Sequence, residues 1–116
     1  MRTRWDEVMR ERVQVEVKDA PERDRYEAWV GENLAGFLDY GRHGRTLVLI
    51  HTEVDERFEG LGVGSQLVRS VLDQARSEGL LVNPRCPFVA RWLARHPEYL
   101  DVVPEQWRDG VEPAVD

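Results

Sequence analysis

The sequence has little cysteine and no long apolar run. Its single cysteine, Cys86, excludes an internal disulfide and a metal site built from several thiolates. No run of about 18 apolar residues, the length that a membrane span needs, occurs. The N-terminal residues mix Arg2, Arg4 and Asp6 without the apolar centre of an export signal. We therefore expect a cytoplasmic protein with no membrane partner.

The chain also lacks the positive charge that nonspecific nucleic-acid binding requires. Its formal net charge is −6, from 16 Lys and Arg against 22 Asp and Glu. A negative surface attracts cations, so the charge balance favours an amine as partner and predicts no nucleic acid. The three histidines are scattered without the spacing of metal ligands, so we expect no metal.

Nothing in the sequence divides the chain into parts, because it has no internal repeat, low-complexity block or linker. A chain of 116 residues is large enough to bury one core, so we predict a single domain over residues 1–116. Residues 1–11 are expected to be a tail or a short helix. Residues 104–116 are acidic and interrupted by proline, and we expect them to fray.

The stretch from Thr46 to Gly79 carries the strongest pattern. It begins with the continuous apolar run Leu47–Ile50, which predicts a strand buried on both faces. After a glycine-rich turn, apolar residues recur at helical spacing, which predicts a helix over Gly62–Glu78. The apolar stripe of this helix consists of Gly64, Leu67, Val68, Val71, Leu72 and Ala75. Gly79 favours the left-handed conformation that ends a helix.

Alternating apolar residues predict further strands around this unit. Strands are expected at residues 13–17, 25–30, 34–42 and 46–54. Because their connections are short, these four are expected to form an antiparallel meander. The run Leu80–Val82 is expected to pair in parallel with the fourth strand, since a helix connects the two.

A second helix is expected to begin at Pro87 and to end before Pro97. Residues 99–103 are expected to form a last strand. The predicted fold class is therefore α/β (α+β), with a mixed, mostly antiparallel sheet flanked by two main helices.

Three glycines, Gly60, Gly62 and Gly64, lie in the turn between the fourth strand and the helix. Residues without a Cβ let main-chain N–H groups approach a ligand closely, and the first N–H groups of a helix carry partial positive charge. This pattern favours an anion, most often a phosphate, although a tightly packed turn also uses glycine. The spacing fails the dinucleotide-binding pattern, and no lysine stands where a P-loop requires one.

These residues resemble the pyrophosphate-binding turn of the GNAT superfamily of N-acetyltransferases: Arg or Gln, two residues, Gly, one residue, then Gly or Ala. Residues 57–62 match this motif at every position. Aligning the motif with residues 59–64 instead gives a better match for the helix that follows, but it places Glu59 at the Arg or Gln position. The segments HTEV, EGLGVGSQLV, LDQAR, LLVNPRCPFV and RHPEYLDVV resemble a small branch, the YjdJ-type or NATD-like acetyltransferases. This second resemblance covers Leu47 to Val103.

The resemblance implies an acetyl-CoA-dependent N-acetyltransferase that moves an acetyl group to a primary amine. Strands four and five would splay apart in a V and hold the pantetheine arm, whose amides satisfy the main-chain groups that the strands leave unpaired. The residues implied to contact acetyl-CoA are Val54, Glu59, Gly60, Leu61, Gly62, Val63, Gly64, Ser65, Pro84, Arg85 and Arg91. Arg85 and Arg91 also fit the alternative of a solvated polar face.

Three residues are candidates for catalysis. His51 and Glu53 lie two apart on one strand, so their side chains are expected on the same face. Imidazole suits a general base near neutral pH, and Glu53 would orient it; the alternative is a hydrogen-bonded residue at a strand end. Cys86 precedes a helix, a position that favours the thiolate, so it is a nucleophile, a group lining the cleft or a small buried side chain.

The sequence departs from the superfamily at one position. Many members carry a Tyr in the last helix that protonates the departing CoA thiolate, but Leu93 stands at the matching position and cannot donate a proton. Solvent, His51 or Tyr99 would have to replace it. The alternative function is therefore a non-catalytic module that binds or senses acyl-CoA, and a third is a structural or partner-binding protein on the same fold.

The resemblance also implies an open acceptor site, because the N-terminal helices that shape the pocket in longer relatives have no counterpart in the sequence. A polyamine-like amine, an amino-acid derivative and an exposed lysine of a protein all fit such a site. We expect a monomer or a weak homodimer.

Overall fold

The computed structural model describes residues 13–111, which form one mixed sheet and two helices. The strands are β1 (Glu16–Ala20), β2 (Arg25–Val30), β3 (Asn33–His43), β4 (Thr46–Val54) and β5 (Leu81–Pro84), and the helices are α1 (Val63–Ser77) and α2 (Pro87–Arg95). The strands are ordered from β1 to β5 across the sheet, and all neighbours are antiparallel except the parallel β4–β5 pair. This confirms the predicted mixed, mostly antiparallel sheet with two main helices.

Both helices pack on one face of the sheet, which we call the inner face. The fully buried side chains of this core include Leu47 and Leu49 of β4, Leu67, Val68, Val71 and Leu72 of α1, and Val89 and Leu93 of α2. Each buried Leu or Val contributes about 2 kcal/mol relative to an exposed one. The opposite, outer face carries Trp29, Phe37, Ile50, His51 and Glu53. Among the described residues no helix packs there, and Ile50 is 49% exposed.

β4 contains a β-bulge at Ile50. Across the β3–β4 pair, Asp39 stands opposite His51 and Tyr40 stands opposite Leu49, so Ile50 has no residue opposite it. The extra residue reverses the alternation of side chains along β4. For this reason Ile50 and His51 are consecutive and both exposed on the outer face.

Beyond the bulge, Thr52 and Val54 face inward while His51 and Glu53 stay on the outer face. The hydroxyl of Thr52 lies 3.3 Å from the thiol of Cys86 on the inner side. His51 and Glu53 therefore share one face, as their spacing predicts, and it is the outer face, on which no described helix packs.

β4 and β5 part halfway along β4. The two strands pair from Thr46 and Leu81 as far as Leu49 and Pro84. Cys86 then donates its N–H to the carbonyl of Leu49 at 2.8 Å, and α2 begins at the next residue. No described strand pairs with this side of β4 beyond that point. The strands thus form the V-shaped fork that the family resemblance implies.

The first strand begins later than predicted. Glu16, not residue 13, is the first β1 residue with a partner, Trp29 of β2. Val13 and Val15 precede the strand and pack against the core as partly buried residues. Their alternation reflects contact with the core and not pairing in the sheet.

The predicted last strand over residues 99–103 is wrong. These residues fall mostly within a 3-10 helix, Pro97–Val102. The guanidinium of Arg108 donates to the carbonyls of Leu100 and Val103, both at 2.7 Å. These carbonyls therefore need no strand partner, and no alternation of apolar residues indicates a cap by a side chain five and eight residues further on.

The C-terminal segment is more ordered than its composition indicates. Where the sequence predicts fraying, residues 104–111 include two 3-10 turns, Glu105–Trp107 and Asp109–Val111. Val111 is 2% exposed and belongs to the core. The predictions for residues 1–11 and 112–116 lie outside the described residues. No helix within the described part is long and apolar enough to cross a membrane.

Glu27 is a buried carboxylate of the outer face and is only 3% exposed. It accepts hydrogen bonds from Arg23 and Arg25, each at 2.9 Å, and from the indole of Trp29 at 3.3 Å. The pKa of Glu27 is lowered, and the hydrogen bond from Arg23 has the largest effect. Burial, which ranks second, acts in the opposite direction, and the hydrogen bond from Arg25 then lowers the pKa further. Folding therefore favours the ionised form of Glu27.

We predict that Glu27→Gln lowers the free energy of unfolding by about 2 kcal/mol at pH 7, because two guanidinium groups lose a buried anion. Since the pKa of Glu27 is lowered in the folded state, its stabilising effect is present above the pKa of an unfolded carboxyl and is lost as the pH falls through the folded pKa. Urea unfolding at pH 7 and in acid measures both effects. The difference between wild type and variant should shrink in acid.

Glu22→Gln is the matched control, because Glu22 also contacts Arg23 but its side chain is 64% exposed. A loss for Glu27→Gln no larger than for this control, or one independent of pH, would contradict the assignment.

Candidate functional site

The turn between β4 and α1 has the backbone of an anion site. Gly60 and Gly62 have φ angles of 81° and 82°, in the left-handed region where side chains with a Cβ are strained. A Cβ built on either glycine would meet no atom within 4 Å, so the turn is open around both. The conformation, and not local crowding, therefore requires glycine at these two positions.

The first turn of α1 presents main-chain N–H groups without partners in the described part of the chain. Gly62 is the N-cap, and the first helical bond runs from the N–H of Gln66 to the Gly62 carbonyl at 3.0 Å. No side chain caps the helix, and its first turn holds no acidic residue. The N–H groups of Val63, Gly64 and Ser65 are thus available to an anion, which the helix dipole also favours.

Gly64 has a different role from the other two glycines. A Cβ at this position would lie 2.8 Å from Cζ of Phe88 in α2, closer than real Cβ contacts occur. The same Cβ would lie 3.5 Å from the side chain of Val54. Tight packing, the alternative that the sequence left open, therefore explains Gly64, which lets α2 approach the start of α1.

Neither alignment of the glycine motif, over residues 57–62 or over residues 59–64, provides an unpaired arginine beside the turn. The guanidinium of Arg57 binds the carboxylate of Asp55, with Nε 3.0 Å from Oδ1 and Nη2 3.3 Å from Oδ2. Glu59, which takes the Arg or Gln position when the motif is aligned with residues 59–64, is exposed. Main-chain groups are therefore the donors that this turn offers.

His51 and Glu53 form a hydrogen-bonded pair on the outer face. The Nε2 atom of His51 lies 3.0 Å from Oε2 of Glu53, and the two side chains are 53% and 60% exposed. The ring of Phe37 lies next to them, 6.3 Å from the imidazole between centroids. A carboxylate on Nε2 holds the proton there and leaves Nδ1 as the acceptor when the ring is neutral.

Cys86 lies on the inner side of the sheet, at the point where β5 departs from β4. It is the N-cap of α2, is 2% exposed, and contacts the hydroxyl of Thr52. Because Thr52 and His51 are neighbours whose side chains leave β4 on opposite faces, the thiol and the imidazole are separated by the strand. The structure therefore does not bring these two catalytic candidates together as a nucleophile and its base.

The remaining cofactor candidates are scattered. Pro84 is buried as the last β5 residue paired with β4, opposite Leu49. Arg91 is exposed on α2, and Arg85 is exposed at the end of β5. The hydroxyl of Ser65 accepts a hydrogen bond from the indole of Trp92 at 2.8 Å, so its side chain ties α1 to α2.

Leu93, at the position of the Tyr in many superfamily members, and Tyr99, one of the proposed replacements for it, are both packed in the core. Leu93 is fully buried in the core. Tyr99 is 5% exposed and donates its hydroxyl proton to Asp73 of α1 at 2.7 Å, while Arg69 donates to the same hydroxyl at 3.3 Å. The hydrogen bond to Asp73 is the largest effect that raises the pKa of Tyr99.

Sequence reasoning missed a cavity on the outer face beside the fork. This outer pocket has a volume of about 590 Å³ and is lined by Gly41, His43, Val48, Ile50, Asn83 and Arg85. It combines residues from three strands and the segment after β5. Ile50 faces outward by the alternation that Val48 and Leu49 already follow, and the bulge adds His51 to the same face. Alternation along β4 alone would not have placed Ile50 and His51 on one face.

Comparison with known proteins identifies the family. Residues 25–102 match the family of GCN5-related N-acetyl-transferases. This match spans more than half of the chain, and the chain belongs to that family. Among curated proteins, no sequence matches it. The narrower YjdJ-type or NATD-like assignment stays a prediction.

The fold is similar to that of a GCN5-like protein of Staphylococcus aureus, itself proposed to be an N-acetyltransferase, with 25% identity and a TM-score of 0.61 over 77% of this chain and 87% of that one. Ard1 of Thermoplasma volcanium matches at 30% identity and a TM-score of 0.45, over 51% of this chain and 41% of Ard1. A Bacillus subtilis acetyltransferase in complex with CoA matches at 21% identity and a TM-score of 0.46, over 60% and 62% of the two chains. This chain spans less than two thirds of the last two proteins.

The contact between Gly64 and Phe88 yields a stability prediction. We expect Gly64→Ala to lower the free energy of unfolding by about 1–2 kcal/mol, because the new methyl group overlaps the Phe88 ring. Adding Phe88→Leu should recover part of this loss. Urea unfolding of both single variants and of the double variant gives the coupling between the two sites.

Gly110→Ala is the control, since a Cβ at that position meets no atom within 4 Å. Strict additivity of Gly64→Ala and Phe88→Leu would contradict the packing role.

Proposed function

We propose that this chain, as a single domain over residues 1–116, is an acetyl-CoA-dependent N-acetyltransferase that acts on a primary amine. The observation that carries the proposal is the juxtaposition of two features: N–H groups at the start of α1 that have no partner within residues 13–111, and the fork between β4 and β5. Family membership supports the same reaction.

The N–H groups of Val63, Gly64 and Ser65 would bind the diphosphate of CoA. The left-handed backbone at Gly60 and Gly62 supports this role because it favours glycine, which has no side chain to keep a ligand from the main chain. The pantetheine arm would lie in the fork against the unpaired edge of β4 that ends at Val54. The further contacts proposed from the sequence are Glu59, Leu61, Pro84, Arg85 and Arg91; of these, Arg85 lines the outer pocket, so we do not assign it to CoA.

Acetyl-CoA supplies the acyl group as a thioester, and the chain must supply a neutral amine. An alkylamine is mostly protonated at pH 7, so a base is required. We assign this base to His51, which would accept the proton through Nδ1 while Glu53 fixes the ring by its hydrogen bond to Nε2. The amine nitrogen then bonds to the carbonyl carbon as the carbon–sulfur bond breaks.

Cys86 would line the cleft and would not carry the acetyl group. Its burial and its contact with Thr52 support this role, as does its position on the face opposite His51. The departing thiolate would take its proton from solvent or from the His51 imidazolium. Leu93 cannot donate one, and the hydroxyl proton of Tyr99 is held by Asp73.

A module that binds acyl-CoA without turnover is the second candidate, because neither Leu93 nor Tyr99 supplies the acid found in many relatives. Release of free thiol from acetyl-CoA in the presence of an amine distinguishes this candidate from the enzyme.

We predict that Gly62→Glu weakens acetyl-CoA binding about tenfold or more, because a carboxylate at the N-cap repels the diphosphate and strains the turn. Isothermal titration calorimetry measures the affinity. Gly79→Glu is the matched control: Gly79 has a φ of 71°, so it imposes the same strain at the other end of α1. Equal affinity for both variants, or no heat with the wild type at millimolar ligand, would count against the diphosphate site.

We also predict that His51→Gln lowers kcat/KM about a hundredfold or more, whereas Cys86→Ala keeps most of the rate. A base acts in its unprotonated form, so kcat/KM of the wild type should rise with pH. The part of this rise that is due to the His51 imidazole should be absent from the pH profile of His51→Gln. Thiol release measured across pH with both variants tests this. An acetyl adduct on Cys86 in intact-mass spectra would instead establish a covalent route.

A further inference from the structure

The outer pocket is a basic cavity on a protein with a net charge of −6. Of its six lining residues, Arg85 carries a positive charge, His43 acquires one when protonated, and Asn83 offers an amide donor. Val48 and Ile50 make the rest of the wall apolar, and none of the described residues that line the cavity is a carboxylate. The site therefore suits an anionic group attached to a short apolar chain.

Arg85 is exposed, and while its main-chain N–H donates to the carbonyl of Asn83 at 3.1 Å, its guanidinium has no hydrogen-bond partner among residues 13–111. Several other arginines of the described chain bind carboxylates, including Arg23, Arg25, Arg57 and Arg76. An arginine that points into a cavity with its donors unused can bind a carboxylate or phosphate through two parallel hydrogen bonds.

The other end of this surface has the opposite charge. Asp39 stands opposite His51 across the β3–β4 pair, and Glu53 is bonded to the same imidazole. Asp39 follows the inward-facing Leu38, so its side chain leaves on the outer face. Ile50, which lines the outer pocket, directly precedes His51 on β4, so the acidic cluster adjoins the pocket.

We propose that the acceptor is a primary amine that also carries an anionic group, a carboxylate or a phosphate; this inference rests on the proposed function. Its amine lies at His51, between the carboxylates of Asp39 and Glu53, and its anionic group binds Arg85 in the outer pocket. A polyamine fits this surface poorly, because its second ammonium would face the guanidinium of Arg85.

Gly41 keeps the floor of the outer pocket empty. A Cβ at this position would lie 3.7 Å from Nε2 of His43 and 4.0 Å from Cδ1 of Ile50, which is ordinary contact. A larger side chain can therefore be placed there without backbone strain. Gly41→Val should narrow the cavity without altering its charge.

The test compares kcat/KM for matched amines: γ-aminobutyrate against butylamine, phosphoethanolamine against ethanolamine, and putrescine as the dication. The wild type should prefer the anionic member of each pair about tenfold or more, since a charged hydrogen-bonded pair is at stake. Comparison of the two pairs shows whether carboxylate or phosphate is preferred.

Arg85→Glu should reverse the preference toward putrescine, and Gly41→Val should raise KM for the anionic amines. Arg95→Glu, a charge reversal at an exposed α2 residue outside the pocket, should change neither.

Direct binding provides a readout that needs no turnover. Amide chemical-shift mapping with γ-aminobutyrate should perturb Asn83 and Arg85, and butylamine should not. Equal kcat/KM within the pairs, an unchanged preference in Arg85→Glu, or no perturbation at these amides overturns the inference. Acetyl transfer to both members of a pair without preference leaves the proposed function intact. Failure to acetylate any amine, with Asn83 and Arg85 still perturbed, overturns the proposed function alone.

Discussion

The separation of β4 from β5 after Leu49 and Pro84 is the constraint on which the candidate site depends. The N–H of Cys86 takes the carbonyl of Leu49 that a longer β5 would have used, and α2 then leads the chain away. Pro87 is well suited to this exit because a helix needs no N–H at its first position. The remainder of β4 keeps one unpaired edge, and a ligand with amides can satisfy that edge.

The bulge at Ile50 determines which chemistry lies on each side of that edge. It places Thr52 inward, against the thiol of Cys86, and His51 outward, beside Glu53. In the proposed reaction the acyl donor enters along the fork and the amine approaches from the outer face. The strand thus separates two sites that share only the reacting carbon. No described helix covers the outer face, which leaves it open to the acceptor.

The bounds of β4 and the course of α1 could be predicted from sequence because a continuous apolar run and a helical stripe each allow one interpretation. The left-handed end at Gly79 followed for the same local reason. The bulge could not be predicted, since it depends on which β3 residue pairs with Leu49. The role of Gly64 depends on Phe88 of another helix. The C-terminal cap depends on hydrogen bonds from the Arg108 side chain to carbonyls five and eight residues earlier. Such contacts leave no periodic signal.

A crystal structure of the protein with acetyl-CoA tests the central claim most directly. The account predicts diphosphate oxygens within hydrogen-bond distance of the N–H groups of Val63, Gly64 and Ser65, and the pantetheine arm between β4 and the start of α2. A diphosphate bound elsewhere, with these N–H groups capped by the protein's own side chains, would contradict it.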